Sequence, residues 1–222
     1  MSAEERERLA SSFREERLDF KQTLYEQDKT VEFVYFVETG VMSLITEFAD
    51  GELIETGTVG NEGLVGLPAV LGVHYAPGRA ICQIAGRGLR IASEAIRAEA
   101  NRGSPWFHVL LRYANFVTAM AAQTAACNRM HSVDARMSRW LLMTHDRVDG
   151  DEFPLTQEFL AIMLGVARPT VNIAGSMLQS AGFITYRRGR ITVRDRTGLE
   201  SASCECYGRI REELERSLGS GD

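Results

Sequence analysis

The 222-residue sequence is short of cations overall, of cysteine and proline, and of any long apolar run. No stretch approaches the roughly 20 apolar residues needed to cross a bilayer, so no membrane segment is expected. The opening MSAEERERLASSFREER is far too charged for the apolar core of an export signal. Without such a signal, Cys82, Cys127, Cys204 and Cys206 are expected to be reduced thiols in a cytoplasm. Cys204 and Cys206 form the only close pair, and a two-residue spacing on a helix points side chains apart, so both read as buried structural thiols. His74, His108, His131 and His145 are dispersed and show no ligand spacing, so no metal site is expected. A Gly-rich phosphate loop, an HExxH pair and a GxSxG nucleophile turn are all missing. No catalytic residue stands out, and an enzyme is not expected. The aromatic strand motifs of RNA-binding sheets are missing too.

What is present is concentrated between Leu155 and Arg194. Thr156 suits a helix N-cap, Glu158 sits in the first turn, and Phe159, Leu160, Met163 and Leu164 form one apolar face before Gly165 ends the run. A second helix follows with Pro169 in its first turn, where a missing N–H costs nothing. Val171, Ala174, Leu178 and Ala181 mark its buried side and Gly182 closes it. Its opposite side carries Pro169, Asn172, Ile173, Ser176 and Ser180. Two short helices around a tight glycine turn, the second with a small polar face, predict a helix-turn-helix. FITY and ITV then flank Arg187-Arg188-Gly189-Arg190, a hairpin placed as a basic wing on phosphates. Between Arg168 and Arg196 six arginines face Asp195 alone, in a chain whose formal net charge is −5. That contrast is the footprint of nucleic-acid binding. The candidate DNA-contacting residues are Arg168, Pro169, Thr170, Asn172, Ile173, Ser176, Arg187, Arg188 and Arg190, with duplex DNA as partner.

Upstream, residues 4 to 18 have helical composition, with Leu9, Phe13 and Leu18 as an apolar stripe. From Asp19 the chain turns into short β-rich runs punctuated by Gly40, Asp50-Gly51 and Gly60. RAICQIAG and LRIAS add a further pair. Several short strands with a strong hairpin signal at Asp50-Gly51 predict an antiparallel barrel or roll. A short helix is expected over 93–101, and Ser104 would cap a long one reaching residue 131. On that helix Phe107, Leu110, Ala114, Val117, Ala121, Thr124 and Asn128 recur at alternating spacings of three and four, a dimer seam. Trp106, Val109, Tyr113, Phe116 and Met120 form a second apolar side for the β-domain. A homodimer follows from a helix apolar on two sides. ARMSRWLLMTHDRV reads as an amphipathic helix. The tail GLESASCECYGRIREELERSL reads as a last one, with Leu199, Cys206, Ile210 and Leu214 inward. The fold class is thus α+β: a roll over 1–103, a dimerisation helix over 104–131 and a winged helix-turn-helix over 132–222.

This order resembles the plan of the Crp/Fnr transcription regulators over nearly the whole chain. VGNEGLVGLPAVLG, RAICQIAG and LTQEFLAIMLGVARPTV carry the resemblance. NEGLVGLP, ACNRMHSV, RWLLMTHDRV and CECYG are similar to segments of an uncharacterised bacterial Crp-like branch. The resemblance implies a cyclic-nucleotide-binding-like roll, a dimer on palindromic DNA, RNA polymerase as a partner and control by a small ligand. Arg168 matches a family arginine that reads guanine, while Pro169 and Ile173 depart from the family residues. The base preference should therefore differ, with Asn172 suited to adenine and Ile173 to a thymine methyl.

In members that bind cyclic AMP, a short helix after a glycine and an Arg-Ser pair hold the phosphate. Gly66, Leu67, Arg79 and Ala80 stand at those positions. Leu67 replaces the ribose-binding glutamate, Pro68 removes a donor, Ala80 lacks the hydroxyl, and Ala121 and Ala122 lack those expected at the purine. These losses argue against cyclic AMP and leave a small anionic effector near Gly66 and Arg79. No cofactor is expected. Alternatives are a redox or gas sensor of the same fold, with His74 as haem ligand, or a ligand-binding module without DNA binding. No cysteine precedes Cys82, which counts against an N-terminal iron–sulfur cluster.

Overall fold

A computed structural model describes residues 3–219. The N-terminal part runs α1 (Ala3–Ala10), β1 (Arg14–Leu18), β2 (Thr23–Tyr25), β3 (Phe33–Glu47), β4 (Leu53–Val59), β5 (Leu64–Val65), α2 (Leu67–Val70), β6 (Arg79–Ala92) and α3 (Ser93–Asn101). Its strands form one antiparallel sheet in the order β1-β6-β3-β4, with β2 on β6 and β5 on β3. The expected α+β class and antiparallel roll are both present.

Three local expectations are corrected. The first helix stops at Ala10, and Arg14–Leu18 is a strand facing Gly86–Arg90, with Leu18 wholly buried. Sheet pairing there outweighs the helical leaning of a Glu/Arg-rich run. Gly40 does not divide two strands: β3 continues through it for 15 residues. At φ 91 its backbone lies so close to β6 that a Cβ would sit 2.5 Å from the Ile84 carbonyl oxygen. RAICQIAG and LRIAS likewise form the single strand β6. The Asp50-Gly51 hairpin stands as expected, with Gly51 at φ 84.

The long helix α4 (Pro105–Met130) is capped by the Ser104 hydroxyl, which accepts the Phe107 N–H. Trp106, Tyr113, Phe116 and Met120 bury themselves against the roll, as their spacing predicted. Trp106 packs on Phe36, and the Tyr113 hydroxyl donates to the Leu64 carbonyl. Helix α5 (Val133–His145) departs from its amphipathic reading, because every residue from Arg136 to Thr144 is buried. It runs between the roll and the C-terminal helices, so neither side meets water.

The C-terminal part comprises β7 (Glu152–Pro154), α6 (Gln157–Leu164), α7 (Arg168–Ser180), β8 (Ile184–Arg187), β9 (Arg190–Val193), α8 (Arg196–Ala202) and α9 (Cys206–Leu218). Its small sheet has the order β7-β9-β8. The tail is therefore two helices broken at Ser203–Glu205, with Leu199, Cys206 and Ile210 buried and Leu214 half-buried. α9 folds back along α4. One hydrophobic core runs from the roll into the helix-turn-helix, and Phe20 meets Phe159 across the joint at 5.7 Å between centroids. No single helix among the described residues is long and apolar enough to cross a membrane.

Candidate nucleic-acid interface

Helices α6 and α7 meet at 102°, within the range of a helix-turn-helix. The Thr156 hydroxyl accepts the Phe159 N–H at 3.2 Å, and Gly165 ends α6 in the left-handed conformation at φ 59. A buried guanidinium, Arg136, donates to the Leu164 carbonyl and so caps the free end of α6 from α5. Val171, Ala174, Gly175 and Leu178 then face inward, with Gly175 against Met137. Ala181 does not join them. It lies just past the helix end and is exposed.

The outward side of α7 presents Arg168, Pro169, Asn172, Ile173, Ser176 and Met177, with Thr170 at its edge. Ile173 is 64% and Met177 54% exposed, so the face offers two apolar contacts among short polar ones. Arg168 is mostly exposed, and its one ion pair among the described residues is a long one of 3.8 Å with Glu158, which also meets Lys21 at 3.8 Å. In water such pairs contribute little and would release the guanidinium to an anionic surface.

The wing is a tight hairpin. Arg188 at φ 50 and Gly189 at φ 74 give two successive left-handed residues, the two-residue turn that suits strand twist. Its base is tied to α7, where the Tyr186 N–H donates to Gln179 Oε1 at 3.0 Å. Arg187, Arg188 and Arg194 are exposed and make no ion pair among the described residues. The remaining basic residues behave differently. Arg190 pairs with Glu152 at 2.5 Å, which holds the Glu152 carboxyl below the usual range. Arg196 binds Asp146 at 2.7 Å, Glu200 at 3.0 Å and the Tyr207 hydroxyl at 2.6 Å. The excess counted along the sequence is therefore smaller in space, because Glu152, Asp146 and Glu200 come in from outside the counted window or beside it. The free charge is concentrated at the wing tip, Arg168 and Arg194.

The dimer seam and the roll site fare unevenly. Leu110, Ala114 and Thr124 are buried within the chain itself, Phe107, Val117 and Asn128 are half-buried, and Ala121 is exposed. Phe107 and Val117 already serve the chain's own core. The free face of α4 is turned towards Leu111, Thr118, Ala121, Ala122 and Ala125. Ala80 is fully buried in the second roll core and meets no ligand space. Arg79 bonds Glu47 at 3.5 Å and Thr23 Oγ1 at 3.4 Å, at a cleft of about 600 Å³ lined also by Glu26, Gln27, Asp28, Phe48 and Ala49. Gly66 and Leu67 do not line it. Three carboxylates beside one guanidinium make poor surroundings for an anion.

The dispersed histidines and the separated thiols are also corrected. Cys127, His131, Cys204 and Cys206 converge, with their donor atoms within 4.8 Å of one another. Cys204 precedes α9 and Cys206 opens it, so the helical spacing argument does not apply to the pair. The overlooked signal was Cys127 and His131, four residues apart at the end of the long helix.

This fold and its exposed helix and wing define a winged helix-turn-helix. Residues 135–202 match the Crp-like helix-turn-helix domain. The chain is similar to the structure of FixK2 from Bradyrhizobium japonicum at 18% identity, covering 86% of this chain and 98% of that one, with a TM-score of 0.74. It is similar to TTHB099, a transcriptional regulator of the CRP family from Thermus thermophilus, at 21% identity, 93% and 97% coverage and a TM-score of 0.66. It also resembles CLP, a c-di-GMP-responsive global regulator from Xanthomonas campestris, at 17% identity, 86% and 99% coverage and a TM-score of 0.65. No curated protein sequence matches the chain. Residues 135–202 thus carry a Crp-like helix-turn-helix domain, and the chain shares the fold of these solved structures over most of its length.

Proposed function

We propose that the chain is a homodimeric, sequence-specific transcription regulator, with the α7 helices of two copies in successive major grooves about 34 Å apart. One observation carries this: the small polar face of α7 lies open beside Arg187 and Arg188 of the wing, which have no acidic partner among the described residues. Arg168 and Asn172 read base edges, Ile173 meets a thymine methyl, and Pro169, Thr170 and Ser176 line the approach. Arg187 and Arg188 hold phosphates, and Arg190 contributes only when it leaves Glu152. The three units, 1–103, 104–131 and 132–222, act as control, dimer and DNA-binding parts. Dimerisation uses the free face of α4, and RNA polymerase is the partner that the superfamily implies. Regulators of this superfamily are in general not enzymes.

Control by cyclic AMP is disfavoured on residue grounds, and the carboxylates around Arg79 disfavour any anion docked there. We therefore take DNA binding to be competent without a nucleotide. Selection of bound duplexes from a random pool, followed by gel-shift titration without added nucleotide, tests the proposal. A two-fold symmetric site with half-sites one helical turn apart is expected. Binding that is equal for all sequences, or that requires cyclic AMP, would overturn it.

A further inference from the structure

The end of α4 and the α8–α9 junction bring four soft donors together beneath the surface. Cys127 lies in the last turn of α4, and His131 follows the helix end as its cap, in an extended conformation. Cys204 follows α8 and Cys206 is the first residue of α9. Cys127 Sγ lies 3.5 Å from Cys204 Sγ, and Cys206 Sγ lies 3.6 Å from His131 Nδ1. A tetrahedron with metal–sulfur bonds of about 2.3 Å and metal–nitrogen bonds of about 2.0–2.1 Å has edges of about 3.6–3.8 Å. The widest separation, within 4.8 Å, needs only a small inward movement.

The surroundings suit metal-bound thiolates. His131 directs Nδ1 to the cluster and Nε2 to Glu205 Oε2 at 3.1 Å, the outer carboxylate that orients a ligating imidazole. Gln123 Nε2 donates to Cys206 Sγ at 2.9 Å. The start of α9 places its positive dipole end at Cys206.

Two buried guanidiniums add an independent demand for negative charge. Arg136 and Arg139 stand one turn apart on α5, are 6% and 5% exposed, and pair with no carboxylate among the described residues. The Nε of each is buried without a hydrogen-bond partner. The thiol cluster is an anion source for these two cations, beside the Glu55 carboxyl on which Arg139 also acts.

We infer that Cys127, His131, Cys204 and Cys206 bind one divalent thiophilic metal ion, zinc by donor set, in a closed tetrahedral site. Binding releases three thiol protons to solvent and leaves three thiolates and a neutral imidazole around a dication. The resulting net charge of minus one is compensated by Arg136 and Arg139. Four protein ligands leave no open position, so the role is structural. The site ties the end of the long helix to the two helices that follow the wing. A surface depression lined by Ser203, Cys204 and Glu205 gives the ion its way in.

The test begins with the unaltered full chain, purified without chelator and analysed for metals. About one zinc per chain is expected, lost in Cys127→Ser and Cys206→Ser but kept in Cys82→Ser, whose thiol lies in the roll. Cobalt added to the stripped chain should give the intense visible bands of a tetrahedral thiolate site. A chain that holds no metal and gives no such spectrum would overturn the proposal. A Cys127–Cys204 disulfide in the chain as isolated, or a cluster containing inorganic sulfide, would overturn it equally.

Discussion

The indole Nε1 of Trp140 donates to Glu55 Oε1 at 2.8 Å, joining the buried helix α5 to strand β4 of the roll. Glu55 is 4% exposed, and its second oxygen has no hydrogen-bond partner. Burial pushes its carboxyl up to about 7, against the opposing pull of Ser43, Trp140, Arg139 and Arg147. The folded state therefore holds a proton that the unfolded chain releases at lower pH. This stabilisation is fully present below the ordinary glutamate value and is lost as pH rises through about 7. Its size is on the order of 3 kcal/mol. Glu55→Gln should remove that part of the pH dependence while keeping the indole bond, so urea midpoints measured from pH 5 to 8 should fall less in the variant.

Glu62 and Arg147 form a second link across the same joint. Arg147 Nε lies 3.1 and 3.0 Å from the two Glu62 oxygens, Nη2 lies 2.9 Å from Oε1, and both side chains are nearly buried. Glu62→Ala strands a buried guanidinium and should cost about 3–5 kcal/mol. Replacing both residues together, Glu62→Leu with Arg147→Met, should cost less than the single change. Denaturant midpoints at unchanged slope provide the comparison.

Arg168 and Arg188 should differ in the way they fail. Arg168→Ala should lose about 1–3 kcal/mol at one base position and relax selectivity there. Arg188→Ala should weaken all duplexes alike and reduce the salt slope by about one. Gel-shift titration of matched and mismatched sites at several salt concentrations separates the two effects. Identical behaviour of both variants would contradict the roles assigned.

Ala121 is the exposed member of the expected seam. Ala121→Glu brings two like charges together across the proposed dimer interface without disturbing the core of one chain. Sedimentation should show monomers with weakened DNA binding. An intact dimer would move the interface off this face of α4.

Much of this protein was legible along the chain because the decisive patterns are local. Thr156, Gly165 and Pro169 set the ends of two helices through hydrogen bonds and backbone angles within a few residues. Asp50-Gly51 and Arg188-Gly189 set hairpins by the same short-range chemistry. Trp106, Tyr113, Phe116 and Met120 revealed their buried side through helical spacing alone.

Tertiary structure decided whatever depends on partners distant in sequence. Arg14–Leu18 became a strand because β6 offered an edge, against its own helical preference. The arginines at Arg190 and Arg196 lost their freedom to Glu152 and Asp146, which no nearby count includes. Cys127 and His131 meet Cys204 and Cys206 only because α9 folds back along α4, at a separation of 77 residues for Cys127 and Cys204. Composition records which groups a chain carries. Their meeting depends on the burial that closes the whole core, and that is a property of the folded chain rather than of any segment.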